Sequence, residues 1–279
     1  MGTWALTRRG RRTARRASDS SALETAARCG FVARGVLYLL VGLLAMRIAF
    51  GDGEQEADRG GALAEVSAQP LGQYLLWALG AGLAGMALWR LSEALFGAVG
   101  PDGHKPGKRL LSLARFLFYG FVSYSILSFA VGTGGSGSGS SDKQSEDVTA
   151  RAMALPAGQW IVGIGGLAIA VAGVWIAGRA VLRKYRKHLK TSQLRGRTRQ
   201  AVDVTGVAGG IARGAVFAML GGFAVKAAVD YEPDQAKGID DTLRSFADTP
   251  AGPWLLALIA VGLAMFGLFS FAMARWRKM

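Results

Sequence analysis

Residues 31–50 read FVARGVLYLLVGLLAMRIAF, with Arg34 and Arg47 as the only charges, one near each end. A helix on the surface of a soluble protein returns a polar face to water every 3.6 residues, and this stretch returns none. At ~1.5 Å per residue it is long enough to cross the ~30 Å hydrocarbon core of a bilayer, so it predicts a transmembrane helix. Five more apolar blocks follow, near residues 71–97, 110–132, 157–182, 207–229 and 253–274. The whole chain, 279 residues with 51% apolar and 19% charged content and a mean hydropathy of +0.27, would also suit a large soluble domain. The gathering of apolar residues into blocks, rather than their total, predicts an all-α polytopic membrane protein with six transmembrane helices.

The net charge of +14 raises the question of nucleic acid, and the placement of the charges answers it differently. Basic residues lie before the first block (Arg8, Arg9, Arg11, Arg12, Arg15, Arg16) and after the second, fourth and sixth (Lys105, Lys108, Arg109; Arg183 to Arg199; Arg275, Arg277, Lys278). The three intervening loops are acidic: Asp52, Glu54, Glu56, Asp58 and Glu65; Asp142, Glu146 and Asp147; Asp230, Glu232, Asp234, Asp240, Asp241 and Asp248. The positive-inside rule then predicts both termini in the cytoplasm of a plasma membrane. Anionic lipid headgroups are the expected partners of the basic segments, no nucleic acid is expected, and no protein partner can be read. Cys29 is the only cysteine, which excludes an intramolecular disulfide and a thiolate metal site. The abundance of arginine, alanine and glycine and the absence of asparagine suggest a GC-rich bacterial genome.

Three copies of one unit emerge when the basic–acidic–basic segments are superposed. Ala33-Arg34, Ala114-Arg115 and Ala212-Arg213 open the first helices; four residues on stand Tyr38, Tyr119 and Phe217, and eight on stand Gly42, Ser123 and Gly221. The spacing i, i+4, i+8 sets an arginine, a ring and a small residue in one row along each helix. The second helices start Pro70-Leu-Gly72, Pro156-Ala-Gly158 and Pro250-Ala-Gly252, each followed by a ring two residues after the glycine. Proline there is expected in the first helical turn, and the ring in the interfacial belt. Leu63 and Val66, matched by Leu243 and Phe246, predict a short helix on the outer surface of the first and third units; the second has only Thr149 and Ala152 there, beside a glycine–serine run, 134–141, expected to be a flexible tether.

The expected organisation is a flexible basic tail over 1–27, repeats over 28–97, 108–182 and 206–276, and a basic loop over 183–205. The repeats share one orientation, which is compatible with closure about a pseudo-threefold axis.

These recurring Ala-Arg openings and Pro-x-Gly-x-aromatic starts, spanning about 28 to 276, resemble the bacterial membrane proteins grouped as domain of unknown function 1206. The resemblance implies three two-helix units and no particular activity. The second unit departs from the pattern at Phe116, where the others have Gly35 and Gly214.

Arg34, Arg115 and Arg213 are the sharpest functional candidates, since three equivalent cations could ring an anionic solute or headgroup. The structural reading places each within about a turn of the interface, reaching water and stacking on the ring one turn deeper. Arg47 and Lys226 are expected to pair with Asp52 or Asp230 at the outer ends, and Glu93 with Arg90. Ser123, Tyr124, Ser125 and Ser128 could line a path or bond between helices. Gly80, Gly82 and Gly85 spell a dinucleotide fingerprint, but mid-helix in a span they indicate close helix approach, as do Gly163, Gly165, Gly166, Gly210 and Gly214. His104 and His188 lack ligands at metal spacing, and no nucleophile–base arrangement occurs, so no metal, cofactor or catalysis is expected. Two function classes remain: a non-catalytic structural, scaffold or stress-related membrane protein, or a small-solute or ion channel or transporter with a path along the repeat axis.

Overall fold

The computed structural model describes residues 21–51, 56–97, 105–132, 141–190, 193–247 and 252–278. Each repeat is a long helix, a short one and a long one: α1 Ser21–Ala49, α2 Arg59–Ser67 and α3 Gly72–Phe96; α4 Pro106–Ala130, α5 Ser141–Met153 and α6 Gly158–Val181; α7 Gly196–Asp230, α8 Ile239–Ala247 and α9 Gly252–Trp276. The six long helices are apolar and, at 24 residues or more, long enough to span a bilayer. The chain is an all-α polytopic membrane protein. One end of the bundle carries the basic segments and the other the short helices with their acidic residues.

The long helices pack side by side in the order α4–α3–α1–α9–α7–α6. Contacts between repeats (α3 with α4, α6 with α7, α9 with α1) are more extensive than those within them (α1 with α3, α7 with α9). Cyclic symmetry about a threefold axis requires this alternation. One contact of the ring is not made to the same extent: among the described residues α4 and α6, the two spans of the second repeat, have no extensive packing against each other. The bundle is a pseudo-threefold ring with one open seam.

The small residue of each first helix explains the tight inter-repeat contacts. A Cβ on Gly42 would lie 2.8 Å from the Ala260 carbonyl of α9, and one on Gly221 would lie 2.5 Å from the Gly166 carbonyl of α6. At the equivalent point the Ser123 hydroxyl donates to the Gly80 carbonyl of α3 at 2.8 Å. Seven residues back the pattern repeats: a Cβ on Gly35 would stand 3.0 Å from the Gly267 carbonyl, and one on Gly214 would stand 2.7 Å from that of Gly173. Phe116 occupies this position in α4, so only there do two helices meet without paired glycines.

The Pro-x-Gly signature differs from expectation. Pro70 and Pro156 precede the helix rather than occupying its first turn; Leu71 (φ 67°) and Ala157 (φ 60°) adopt the left-handed conformation as N-caps, and the helices begin at Gly72 and Gly158. The glycine is required because its Cα lies against the end of the preceding short helix. A Cβ on Gly72 would meet the carbonyls of Val66 and, at 2.9 Å, Ser67; one on Gly158 would meet those of Ala152 and, at 2.7 Å, Met153.

The second repeat, contrary to the sequence reading, also has its outer helix, α5, which buries Thr149 where the others bury Leu63 and Leu243. Polar contacts tie the three short helices together and compensate for its poor apolar face. Asp58 caps α2 through Gly61 N at 2.9 Å, Ala57 N donates to Asp240 at 2.6 Å, and Asp241 N donates to Asp142 at 3.2 Å.

Two expected boundaries also move. Helix α1 is already formed at Ser21, inside the presumed tail, and there Glu24 pairs with Arg28 at 2.5 Å while Arg28 donates to carbonyls in the last turn of α9, Ala274 and, at 2.9 Å, Arg275. Helix α7 starts at Gly196, inside the presumed loop, because Arg186 pairs with Asp203 across its first turns. The basic residues of 1–20, together with Asp52, Glu54, His104, the glycine–serine run before Ser141, Asp248, Pro250 and Ala251, lie outside the described residues.

Candidate functional site: an arginine–aromatic cluster at the bundle axis

The arginine–ring–small rows divide in two. The small residue packs against the neighbouring helix, as described above, while the arginine and ring turn toward the axis, because each step of four residues advances ~40° around a helix. Arg34 donates to Ser270 Oγ of α9 at 3.2 Å and to the Tyr119 hydroxyl of α4 at 3.4 Å. Arg213 lies over the rings of Tyr38, Phe217 and Phe266, at 5.9, 5.3 and 5.0 Å. Thus Arg34 of the first repeat reaches the ring of the second, and Arg213 of the third reaches that of the first. Arg115 completes the set. It interacts electrostatically with Arg90, Tyr119, Glu93 and Arg213 but is itself exposed, unlike its two half-buried equivalents.

Arg34 lies six residues, ~9 Å along α1, beyond Arg28, which reaches the end of α9. There its neighbours are side chains.

Phe31, Phe266 and Arg277 carry no repeat signature, whereas Trp89 aligns with Trp175 and Phe269 of the other repeats. Phe31 stacks under Arg34 at 4.8 Å and also under Arg277 at 5.2 Å; Trp89 takes Arg277 at 4.7 Å and Arg90 at 4.2 Å; Phe266 takes both Arg34 at 5.2 Å and Arg213. The result is an alternating ladder, Arg213–Phe266–Arg34–Phe31–Arg277–Trp89–Arg90. Each such contact contributes about 0.5–2 kcal/mol, and the rings separate guanidiniums that would otherwise repel directly. Glu93 terminates the ladder, accepting from Arg90 at 2.6 Å, as the sequence suggests, and from Ser112 at 3.3 Å. Arg277 reads in sequence as one charge of a basic C-terminus, and only the folded ring brings it under Phe31.

A strap closes the cluster on the basic side. Residues 184–190, between the second and third repeats, lie against the end of α9: Lys190 N donates to Trp276 O at 2.8 Å and Lys278 N to His188 O at 2.9 Å, with Leu189 fully buried beneath. Tyr185 anchors the strap on α7, its hydroxyl 3.1 Å from Asp203 and its ring edge-on to Phe269. Burial first, and the Asp203 carboxylate next, push the Tyr185 phenol up to about 12.

Among the described residues, five guanidiniums thus share the site with one carboxylate. The Nε atoms of Arg90, Arg213 and Arg277 are buried without a hydrogen-bond partner, and Arg90 as a whole is 4% exposed. Such donors are costly to leave unmade, and an oxyanion is a matching acceptor for a guanidinium Nε–H.

The remaining candidates fall elsewhere. Arg47 pairs with Glu65 at 3.6 Å at the acidic end, and Lys226 is exposed there with no ion pair to Asp230 among the described residues. Ser125 is buried, Ser128 half-buried and Tyr124 exposed. Of the fingerprint glycines, Gly82 and Gly85 pack on the carbonyls of Cys29 and Ala26, so they serve helix contact. Asp142, Asp240 and Asp241 bring carboxylate oxygens within 4.8 Å of one another, but Asp240 is engaged by Ala57 N and Arg244 and Asp142 by Asp241 N.

Fold and site together define a multi-pass helical membrane protein made of three repeats that share one arginine–aromatic core. The chain belongs to the family described as Domain of Unknown Function (DUF1206), which matches it three times, over residues 29–97, 112–183 and 208–277, once per repeat. It is also similar to "Uncharacterized protein YxxB" of Bacillus subtilis (strain 168), 29% identical over 243 residues that cover 87% of each chain. No solved structure matches it.

Proposed function

We propose that this is a non-catalytic protein of a bacterial plasma membrane, with both termini in the cytoplasm, whose three repeats build one anion-holding site in the cytoplasmic half. The observation that carries this reading is the charge imbalance: among the described residues Arg34, Arg90, Arg115, Arg213 and Arg277 face one carboxylate, Glu93, with three buried Nε donors unpartnered. Uncompensated charge inside a membrane protein is expensive, and a bound oxyanion supplies the missing acceptors. Guanidiniums stay protonated and offer no nucleophile or general base, which supports binding rather than catalysis. Stacked rings and guanidiniums occupy the axis that a transport path would follow, which favours holding over passage. The alternation of basic and acidic segments supports the orientation.

The test is thermal unfolding of delipidated protein in a neutral detergent with dodecyl phosphate added. Saturable stabilisation that is absent in Arg34→Gln/Arg213→Gln is the expected result; equal shifts in both proteins, or none, would overturn the reading. Electrogenic or phosphate flux in liposomes would return the transport alternative.

A further inference from the structure

We infer that the anion is the phosphate of an anionic phospholipid, admitted sideways through the open seam between α4 and α6 with Arg115 at its threshold. The inference rests on the anion-site reading above and adds the ligand class and its route. Three features of the molecule converge on it.

The first is what covers the cluster. The strap of residues 184–190, hydrogen-bonded to Trp276 and Lys278 around buried Leu189, lies across it on the basic side. At the acidic end the three short helices are joined by the Asp240–Ala57 and Asp142–Asp241 bonds. Among the described residues the ring is packed extensively at each neighbouring pair of long helices except α4 and α6. A ligand moving within the bilayer meets that opening directly, whereas one arriving from water meets the strap.

The second is the break in symmetry at Arg115. Its equivalents Arg34 and Arg213 are half-buried, and it alone is exposed, on one of the two helices that flank the seam, while remaining in electrostatic reach of Arg90 and Arg213. A headgroup in contact with Arg115 is therefore within electrostatic reach of those two residues, each of which buries an unpartnered Nε donor.

The third is the chemistry of the flanks. α4 exposes Leu117, Phe118 and Phe121, and α6 exposes Ile164, Leu167 and Val171, apolar surface for acyl chains on the two helices that border the seam. Guanidinium forks match phosphate oxygens in geometry as well as charge.

Native mass spectrometry of the full chain in a neutral detergent tests the proposal, with phosphatidylglycerol, phosphatidylcholine or inorganic phosphate added in turn. The expected result is a one-to-one phosphatidylglycerol adduct, at least about tenfold preferred over phosphatidylcholine and not displaced by millimolar inorganic phosphate. Arg115→Gln should weaken it about tenfold, Arg115→Lys should restore most of it, and Arg197→Gln, a basic change far from the seam, should leave it intact. The unmodified chain's preference between the two lipids reads the proposal even if a variant folds poorly. Equal binding of both lipids, or displacement by inorganic phosphate, would overturn the lipid assignment while leaving an anion site. An adduct that responds to Arg34→Gln but not to Arg115→Gln would overturn the route. Failure of every anion, dodecyl phosphate included, would remove the anion site itself.

Discussion

At the scale of single residues, the cluster shows how like charges coexist in an apolar surrounding. Arg34, Arg277, Arg90 and Arg213 are each stacked on at least one ring, and shared rings link them into a ladder, so their spacing is set by Phe31, Trp89 and Phe266. Only part of this was legible. Arg34, Arg115 and Arg213 recur at equivalent positions and so stood out, whereas Phe31, Phe266 and Arg277 have no counterparts and converge only through tertiary packing. The pairing of Arg90 with Glu93 was legible because it is local, three residues along one helix. Tyr185 on the strap gives a prediction about pH. Its phenol is raised to about 12 by burial and by Asp203, so the neutral form is favoured in the fold. That stabilisation is complete below the ordinary phenol value of ~10 and is lost as pH rises through about 12. Ultraviolet titration should show a late phenol that Tyr185→Phe removes and that Asp203→Asn shifts to lower pH.

At the scale of elements, the glycines that face backbone carbonyls set how closely the repeats approach. Gly221 and Gly222 are neighbours in α7, yet a Cβ on Gly221 would strike the Ala170 and Gly166 backbone while one on Gly222 would meet nothing within 4 Å. Gly221→Ala should therefore destabilise by ~1–3 kcal/mol, and Gly222→Ala should stabilise slightly, by ~0.5–1 kcal/mol, both read from unfolding in detergent. Cross-linking tests the seam. In a Cys29→Ser background, Gly163→Cys with Ala228→Cys should oxidise readily, because a Cβ at 163 would lie 3.5 Å from that of Ala228. Phe121→Cys with Ile164→Cys, across α4 and α6, which lack extensive packing, should not. The six long helices were legible because a span needs unbroken apolar sequence. The helix α5 was missed because Thr149 and Ala152 carry little apolar signal and its place is held by polar links to α8.

At the scale of the whole molecule, threefold repetition predicts cyclic closure, and the second repeat breaks it. α6 buries only a narrow stripe, Gly158, Val162, Gly166, Gly173 and Ala180, mostly where α7 approaches. The seam could not be read from sequence, because hydropathy does not distinguish a helix facing lipid from one facing another helix. What the ring contributes to function is convergence: arginines far apart in the chain meet at one point beneath the strap. The most direct measurement is a cryo-electron microscopy map of the protein in phosphatidylglycerol nanodiscs. A phosphate density should lie against the cluster that holds Arg34, Arg115, Arg213 and Arg277, with α4 and α6 apart and an acyl chain between them. A map with α4 packed on α6 and these arginines directed to separate surfaces would contradict the convergence on which the proposed function rests.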